Sequence, residues 1–212
     1  MRIIAGSLKG RKIPNVFDIK NVSPSSDFLK GVLFNVLGQD IEGKVFCDLY
    51  AGTGSVGFEA ISRGAAFCIF IESSPELISI IINLSKRFGV EEKVKIIKKD
   101  VLRAIERGVL TEYKPDFIFI DPPYLKRNDR VRLEIEKPHD LEDSGGDNFS
   151  LGLCGKTIEK ITENFSLSVS KNVADIIIQH DKLEKLSNKY QPFELAAEKM
   201  HGKSVLSFYH QY

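Results

Sequence analysis

Val45-Phe46-Cys47-Asp48-Leu49-Tyr50-Ala51-Gly52-Thr53-Gly54-Ser55-Val56-Gly57 is the stretch that decides the fold. It begins as an apolar strand. It continues as Gly52-x-Gly54-x-x-Gly57 and opens a helical stretch near 56–63. Bare glycine backbone between a strand and a helix N-terminus lets a ligand approach main-chain N–H groups. Reading outward, short apolar runs recur at Val45–Tyr50, Cys68–Glu72, Val94–Ile97, Phe117–Ile120 and Ala174–Gln179. Helices are expected between the first four, near 56–63, 75–88 and 101–109. Ser74-Pro75-Glu76 supplies a cap followed by proline at the first helical position. Strands that are apolar throughout, separated by helices, imply a parallel sheet covered on both faces, the doubly wound α/β class. The tail, Lys203–Gln211, alternates and reads as a final strand in an antiparallel edge.

Upstream, residues 2–14 read as a hairpin, with Ile3-Ile4 and Ile13 flanking a turn at Ser7-Leu8-Lys9-Gly10. Residues 23–38 read as a helix that Ser25, Ser26 or Asp27 can cap. Its apolar stripe is Phe28, Leu29, Val32, Leu33, Val36 and Leu37, and Gly38 can stop it. The division expected is a basic extension over 1–20 and one catalytic domain over 21–212. Residues 125–150 break the alternation. They run from basic (Lys126, Arg127, Arg130, Arg132) to acidic (Asp140, Glu142, Asp143, Asp147) and read as a mobile insertion near the site.

Bulk properties narrow the classes. Of 212 residues, 42% are hydrophobic and 28% charged, the balance of a soluble globular domain. No apolar run approaches the roughly 20 residues of a membrane span. The start, Met1-Arg2-Ile3-Ile4-Ala5-Gly6, has no secretory pattern, so a cytoplasmic location without a membrane partner is expected. Cys47, Cys68 and Cys154 lie far apart, and His139, His180, His201 and His210 lack ligand spacing, so no disulfide framework and no metal are expected. Residues 1–30 hold six basic and two acidic side chains within a chain of formal net charge +1. A local basic excess on a near-neutral protein points to a polyanion surface.

The strand ends carry the chemistry. Glu72 can accept from ribose hydroxyls, and Asp100 from an adenine amine with Val101 covering the ring. These features suit NAD as well as S-adenosylmethionine. Asp121-Pro122-Pro123-Tyr124 separates the two. The prolines stiffen the turn and remove two backbone donors, leaving carbonyls as fixed acceptors. An exocyclic amine on a nucleobase is a poor nucleophile because its lone pair is conjugated into the ring. Asp121 and the Pro122 carbonyl can accept both amine hydrogens and let the nitrogen pyramidalise. Tyr124 can stack on the base. Hydride transfer has no use for such a group.

At these residues the chain resembles the class I amino-group methyltransferases. More narrowly, it is similar to the bacterial 16S rRNA guanine-N2 methyltransferases of the RsmD type. The resemblance runs over Arg2-Ile3-Ile4-Ala5-Gly6, Lys9-Gly10-Arg11-Lys12-Ile13-Pro14 and Phe34-Asn35-Val36-Leu37. It continues through Asp48–Ala65, Glu72, Asp121-Pro122-Pro123-Tyr124 and Gly202–Tyr209. It implies a Rossmann-like fold with a seven-stranded, mostly parallel sheet, helices on both faces and a small N-terminal β-hairpin. It implies S-adenosylmethionine held by Asp48, Ala51, Gly52, Thr53, Gly54, Gly57, Glu72, Asp100 and Val101. It implies catalysis by Asp121, Pro122, Pro123 and Tyr124. It implies contacts from Arg2, Lys9, Arg11, Lys12 and Lys30 to 16S rRNA, in the 30S subunit or an assembly intermediate, by a monomeric enzyme. Ser23 and Lys30 replace arginines of the family pattern, and lysine cannot reproduce a bidentate arginine contact. Alternatives are a DNA adenine-N6 or protein glutamine methyltransferase, or a non-catalytic RNA-binding assembly factor.

Overall fold

The computed structural model describes residues 1–14, 27–123, 152–167 and 175–211. The capping residues before Asp27, Tyr124, the insertion over 125–150 and Ala174 lie outside these. Helix α1 is Asp27–Leu37; then come β1 (Val45–Leu49), α2 (Ser55–Ser62), β2 (Phe67–Glu72) and α3 (Pro75–Phe88). A 3-10 turn at Glu91–Lys93 precedes β3 (Val94–Lys98), α4 (Val101–Glu106), α5 (Val109–Tyr113) and β4 (Phe117–Ile120). The chain closes with α6 (Leu153–Leu167), β5 (Asp175–Asp181), β6 (Lys189–Tyr190), β7 (Phe193–His201) and β8 (Ser204–Gln211).

One sheet runs in the order β3-β2-β1-β4-β5-β8-β7-β6. The first five strands are mutually parallel, and β8, β7 and β6 pair antiparallel. Seven strands were expected and the described residues form eight, because Lys189 and Tyr190 make a two-residue edge against Glu194 and Phe193. The tail strand β8 is part of an antiparallel edge, as expected, with β7 and β6 outside it.

The two faces of the sheet have different cores, since alternate strand residues point to opposite sides. Phe46, Phe70, Phe119 and Phe208 pack with Leu33 and Phe34 of α1, Phe58 of α2 and Phe88 of α3. Ile69, Ile118, Ile176 and Ile178 pack with Val101, Ala104 and Ile105 of α4, Leu110 of α5 and Ile158 of α6. Along the parallel strands one side is rich in phenylalanine and the other in isoleucine, with Tyr190, Phe193 and Tyr209 joining the second at its antiparallel end. Helix α3 begins as its sequence implies: the Ser74 hydroxyl accepts from the Leu77 N–H, and Gly89 closes the helix in the left-handed region. The predicted helix over 101–109 is two helices, broken at Gly108, whose φ of 79° ends one and starts the next. No described helix is long and apolar enough to cross a membrane.

The N-terminal segment closes on itself around one antiparallel bridge, Arg2 to Lys12, with Ile3 N–H donating to Arg11 O and Gly10 N–H to Ile3 O. Its apolar residues Ile3, Leu8 and Ile13 enter the aromatic core.

Candidate active site

The glycine turn is a tight reversal at the carboxyl end of β1. Tyr50, Gly52 and Gly54 all have positive φ, at 62°, 57° and 76°. Ala51 N–H donates to Ile71 O at 3.0 Å and Gly54 N–H to Ala51 O at 2.8 Å. Asp48 reaches forward from the strand, and its Oδ2 accepts from the Gly57 N–H at 2.9 Å. This bond caps the start of α2 from below. Gly57 must be glycine for another reason: a Cβ there would lie 2.7 Å from Cys68 Sγ and still closer to the Phe70 ring. Helix and sheet can approach this closely only without that carbon.

Three carboxylates gather around the turn. Glu72 Oε2 accepts from Gly52 N–H at 2.9 Å, while its Oε1 accepts from Ser73 and Ser74 N–H at 2.8 and 2.9 Å. Three of about four lone-pair positions on that carboxylate are therefore used. Asp48 is buried, and burial pushes its pKa well above the usual carboxylate range. The charges of Asp121 and Glu72 push it further, against the Gly57 N–H, which favours the ionised form. Glu72 and Asp121, from the ends of β2 and β4, are thus each within electrostatic reach of Asp48 near the end of β1. The acids Glu72 and Asp121 at this edge suit a ligand that carries positive charge, as S-adenosylmethionine does, better than a pyrophosphate.

The sheet order sets the remaining residues in a row. Asp100 follows β3, Glu72 ends β2, the glycine turn follows β1 and Asp121 follows β4. Three strand spacings separate the ends of that row, about 14 Å. Ligands of open α/β sheets bind along this carboxyl edge. Asp121 is half-buried, Pro122 buried and Pro123 exposed. Ala51 and Thr53 are buried within the turn. Asp100 is exposed and caps α4, its Oδ1 accepting from Arg103 N–H at 3.1 Å. Val101, expected to cover a ring, is instead packed into the aliphatic core at 3% exposure. The first turn of α4 must bury it to seat that helix.

Sequence reasoning missed Tyr50. Its hydroxyl lies 2.8 Å from Thr157 Oγ1, which donates to Leu153 O at 2.7 Å. Burial pushes the phenol up to about 12. Tyr50 thereby ties the glycine turn to α6, a helix that the apolar pattern did not announce.

Of the expected RNA contacts, Arg2, Lys9, Arg11 and Lys12 are exposed. Arg11 Nη1 donates to Arg87 O at 3.0 Å, and its guanidinium lies over the Phe88 ring. Arg87 returns a bond to Lys12 O. Lys30 is corrected. It is 1% exposed, and its ammonium donates to Arg2 O at 2.8 Å and pairs with Asp27 at 3.3 Å. It pins the N-terminal segment to α1 and presents no charge to a polyanion. The segment is held a second time by α2. Glu59, wholly buried, accepts from Ile4 N–H at 2.7 Å, Ala5 N–H at 3.0 Å and Arg63 Nε at 2.8 Å. Ser62 Oγ accepts from Leu8 N–H at 2.9 Å and donates to Ala5 O, while Ser62 O accepts from Ser7 N–H at 2.7 Å.

Solved structures share this architecture. A hypothetical protein from Thermus thermophilus superimposes with a TM-score of 0.67 at 20% identity, over 98% of each chain. An RNA methyltransferase from Salinibacter ruber, solved with S-adenosyl-L-homocysteine, superimposes at 0.55 and 13% identity, over 88% of this chain and 92% of that one. The fold is that of class I S-adenosylmethionine-dependent methyltransferases. Ribosomal RNA small subunit methyltransferase D of Buchnera aphidicola is 37% identical over 157 residues, spanning 66% of this chain and 80% of its own. The Escherichia coli protein of that name is 31% identical over 150 residues, 68% of each chain. A family model described as conserved hypothetical protein 95 matches residues 1–145. The chain belongs to that family, the RsmD type of methyltransferase.

Proposed function

We propose that this protein methylates small-subunit ribosomal RNA with S-adenosylmethionine as donor, and that the acceptor is the exocyclic N2 amine of a guanine. The observation that carries this reading is the placement of Asp121-Pro122-Pro123 at the end of β4, beside the acidic arc of Asp48 and Glu72. The relatives named rRNA small subunit methyltransferase D support rRNA as the substrate class. The 30S subunit or an assembly intermediate is the form in which that RNA is presented, to a monomeric enzyme.

The cofactor, when bound, supplies a methyl group made electrophilic by sulfonium. The chain supplies position and acceptors. Glu72 would hold ribose through its remaining lone pair, and Asp100 would meet the adenine amine. Asp121 and the Pro122 carbonyl would accept the two hydrogens of the guanine amine, which releases its lone pair from conjugation. Proline fixes that carbonyl, so no reorganisation accompanies the step. Tyr124 would stack on the base. A paired guanine hides its amine, so the target must lie in a loop or be turned out of its helix. The Asp121→Ala variant should lose about 100-fold or more in turnover and far less in cofactor affinity. Radiolabel transfer to unmodified 30S subunits and to naked 16S rRNA, with isothermal titration of S-adenosylmethionine, measures both. Near-normal turnover in that variant would remove the assignment. Mapping the product as N2-methylguanosine, or as another methylated base, decides the acceptor.

A further inference from the structure

The largest exposed aromatic of the described residues has no place in the chemistry above. Phe28, in the first turn of α1, is 55% exposed. Its ring stacks on His201 with centroids 4.0 Å apart and 29° between planes. His201 ends β7 and is itself exposed, as are its neighbours Lys199, Met200, Gly202 and Lys203. Two rings are thus held face to face in solvent by elements far apart in sequence. Neither is buried by the fold, so the pair presents open aromatic surface.

Its position follows from the register. Ser204, the first residue of β8, pairs with Asp181, the last residue of β5. The β7–β8 turn therefore lies at the carboxyl edge of the parallel strands, the edge that carries the glycine turn and Asp121. Between β4 and β8 are two strand spacings, about 10 Å. Cations flank the pair. Arg2, largely exposed, lies 4.0 Å from Asp27, the residue before Phe28, and Lys199 and Lys203 lie on either side of His201. Asp27 and Glu198 are the nearby acids; Asp27 is engaged by Lys30 and Glu198 accepts from Ser207 Oγ.

We propose that Phe28 and His201 form a stacking platform for an unpaired nucleobase of the RNA substrate, beside and distinct from the target base. Every base has a π-face, and single-stranded RNA is held by aromatic rings set among cations. The platform lies at the reaction edge with Arg2 of the basic N-terminal segment beside it, so a strand whose phosphates meet Arg2 can lay a base on Phe28 and reach Asp121 with another. This inference rests on RNA being the substrate.

Filter binding of an unmodified 16S rRNA transcript and of single-stranded poly(A), across a salt series, tests it. Phe28→Leu keeps apolar bulk without the ring and should weaken both about tenfold. The slope of log affinity against log salt should not change, since no phosphate contact is lost. Phe28→Tyr should bind as the wild type. Cofactor affinity should be equal in all three, which sets aside misfolding. Unchanged RNA affinity in Phe28→Leu would overturn the platform, and so would equal losses in the Tyr and Leu variants. A change of oligomeric state in Phe28→Leu with intact RNA affinity would overturn it too, and would mark the patch as a self-contact. Failure of the wild type to methylate rRNA, with ring-dependent poly(A) binding intact, removes the acceptor assignment and keeps the platform.

Discussion

The two ends of α2 are one short helix apart, eight residues, and do unlike work. The N-terminal end closes the glycine turn, with Asp48 bonded to Gly57 and Glu72 to Gly52. The C-terminal end is a socket: Glu59 and Ser62 hold the backbone of residues 4–8, and Arg63 locks Glu59 from the other side. At one end, side chains shape the backbone for a ligand. At the other, they replace bonds that a two-stranded hairpin cannot make alone. One helix thus connects the cofactor turn to the basic segment. The Glu59-Ala60-Ile61-Ser62-Arg63-Gly64 run that follows the glycine block is the fixing of that segment, written into sequence.

The largest effect should come from emptying the socket. Glu59→Ala strips partners from two backbone N–H groups and from Arg63, a loss of about 3–5 kcal/mol for a broken buried charge network. Urea unfolding should show it directly. The folded fraction should bind rRNA poorly yet bind S-adenosylmethionine normally; a matching loss of cofactor affinity would mean that the two ends are not separable.

A matched pair of glycine substitutions sharpens the division. Gly57→Ala forces a carbon against Phe70 and Cys68, an overpacking cost of about 1–3 kcal/mol, and should reduce cofactor affinity. Gly6→Ala has a similar cost, because Gly6 has a φ of 81° and a Cβ there would enter the Ser62 carbonyl. It should reduce rRNA affinity instead. Calorimetric titration with each ligand separates the two variants, and the division fails if both ligands suffer equally in both.

The smallest effect should be a gain. The folded state holds Asp48 with a raised pKa, so it binds a proton that the unfolded chain has released. Stability without cofactor is then lost as pH rises above about 4, the unfolded carboxylate value, through the folded one. Asp48→Asn keeps an acceptor for Gly57 and cannot ionise. Its melting temperature at neutral pH should exceed the wild type's by a few degrees, at about 2–4 °C per kcal/mol. Its cofactor affinity should fall. A variant no more stable than the wild type at pH 7 would show that the burial of this charge costs the fold nothing.

Much of this was legible from residue patterns. The inner strands β1, β2, β4 and β5 are short, largely apolar runs, because a parallel strand buried on both faces has little polar side to show, whereas edge strand β3 exposes Lys95 and Lys98. Gly52, Glu72 and Asp121 stood out in the sequence because they fall at or just after strand ends, where the fold class puts ligands. Other elements gave no such signal. Strand β7 is exposed over most of its length and is held by pairing with β8 rather than by an apolar side. Helix α6 carries Gly155 in its first turn, and its cap comes from afar: Glu184 accepts from Cys154 and Gly155 N–H.

Sequence by itself determined the order of elements from β1 to β4, the covered parallel sheet and the glycine turn, because those depend on neighbours within a few positions. Only the tertiary structure decided what depends on distant partners. It buried Lys30 against Arg2 and Asp27, since a lysine enters a core only where acceptors await its ammonium. It turned Glu59 from a surface acid of a helix into the anchor of a segment more than fifty residues upstream. It set Phe28 on His201 at the reaction edge. Spacing along the chain contains none of these, because each contact exists only once the sheet has brought its ends together.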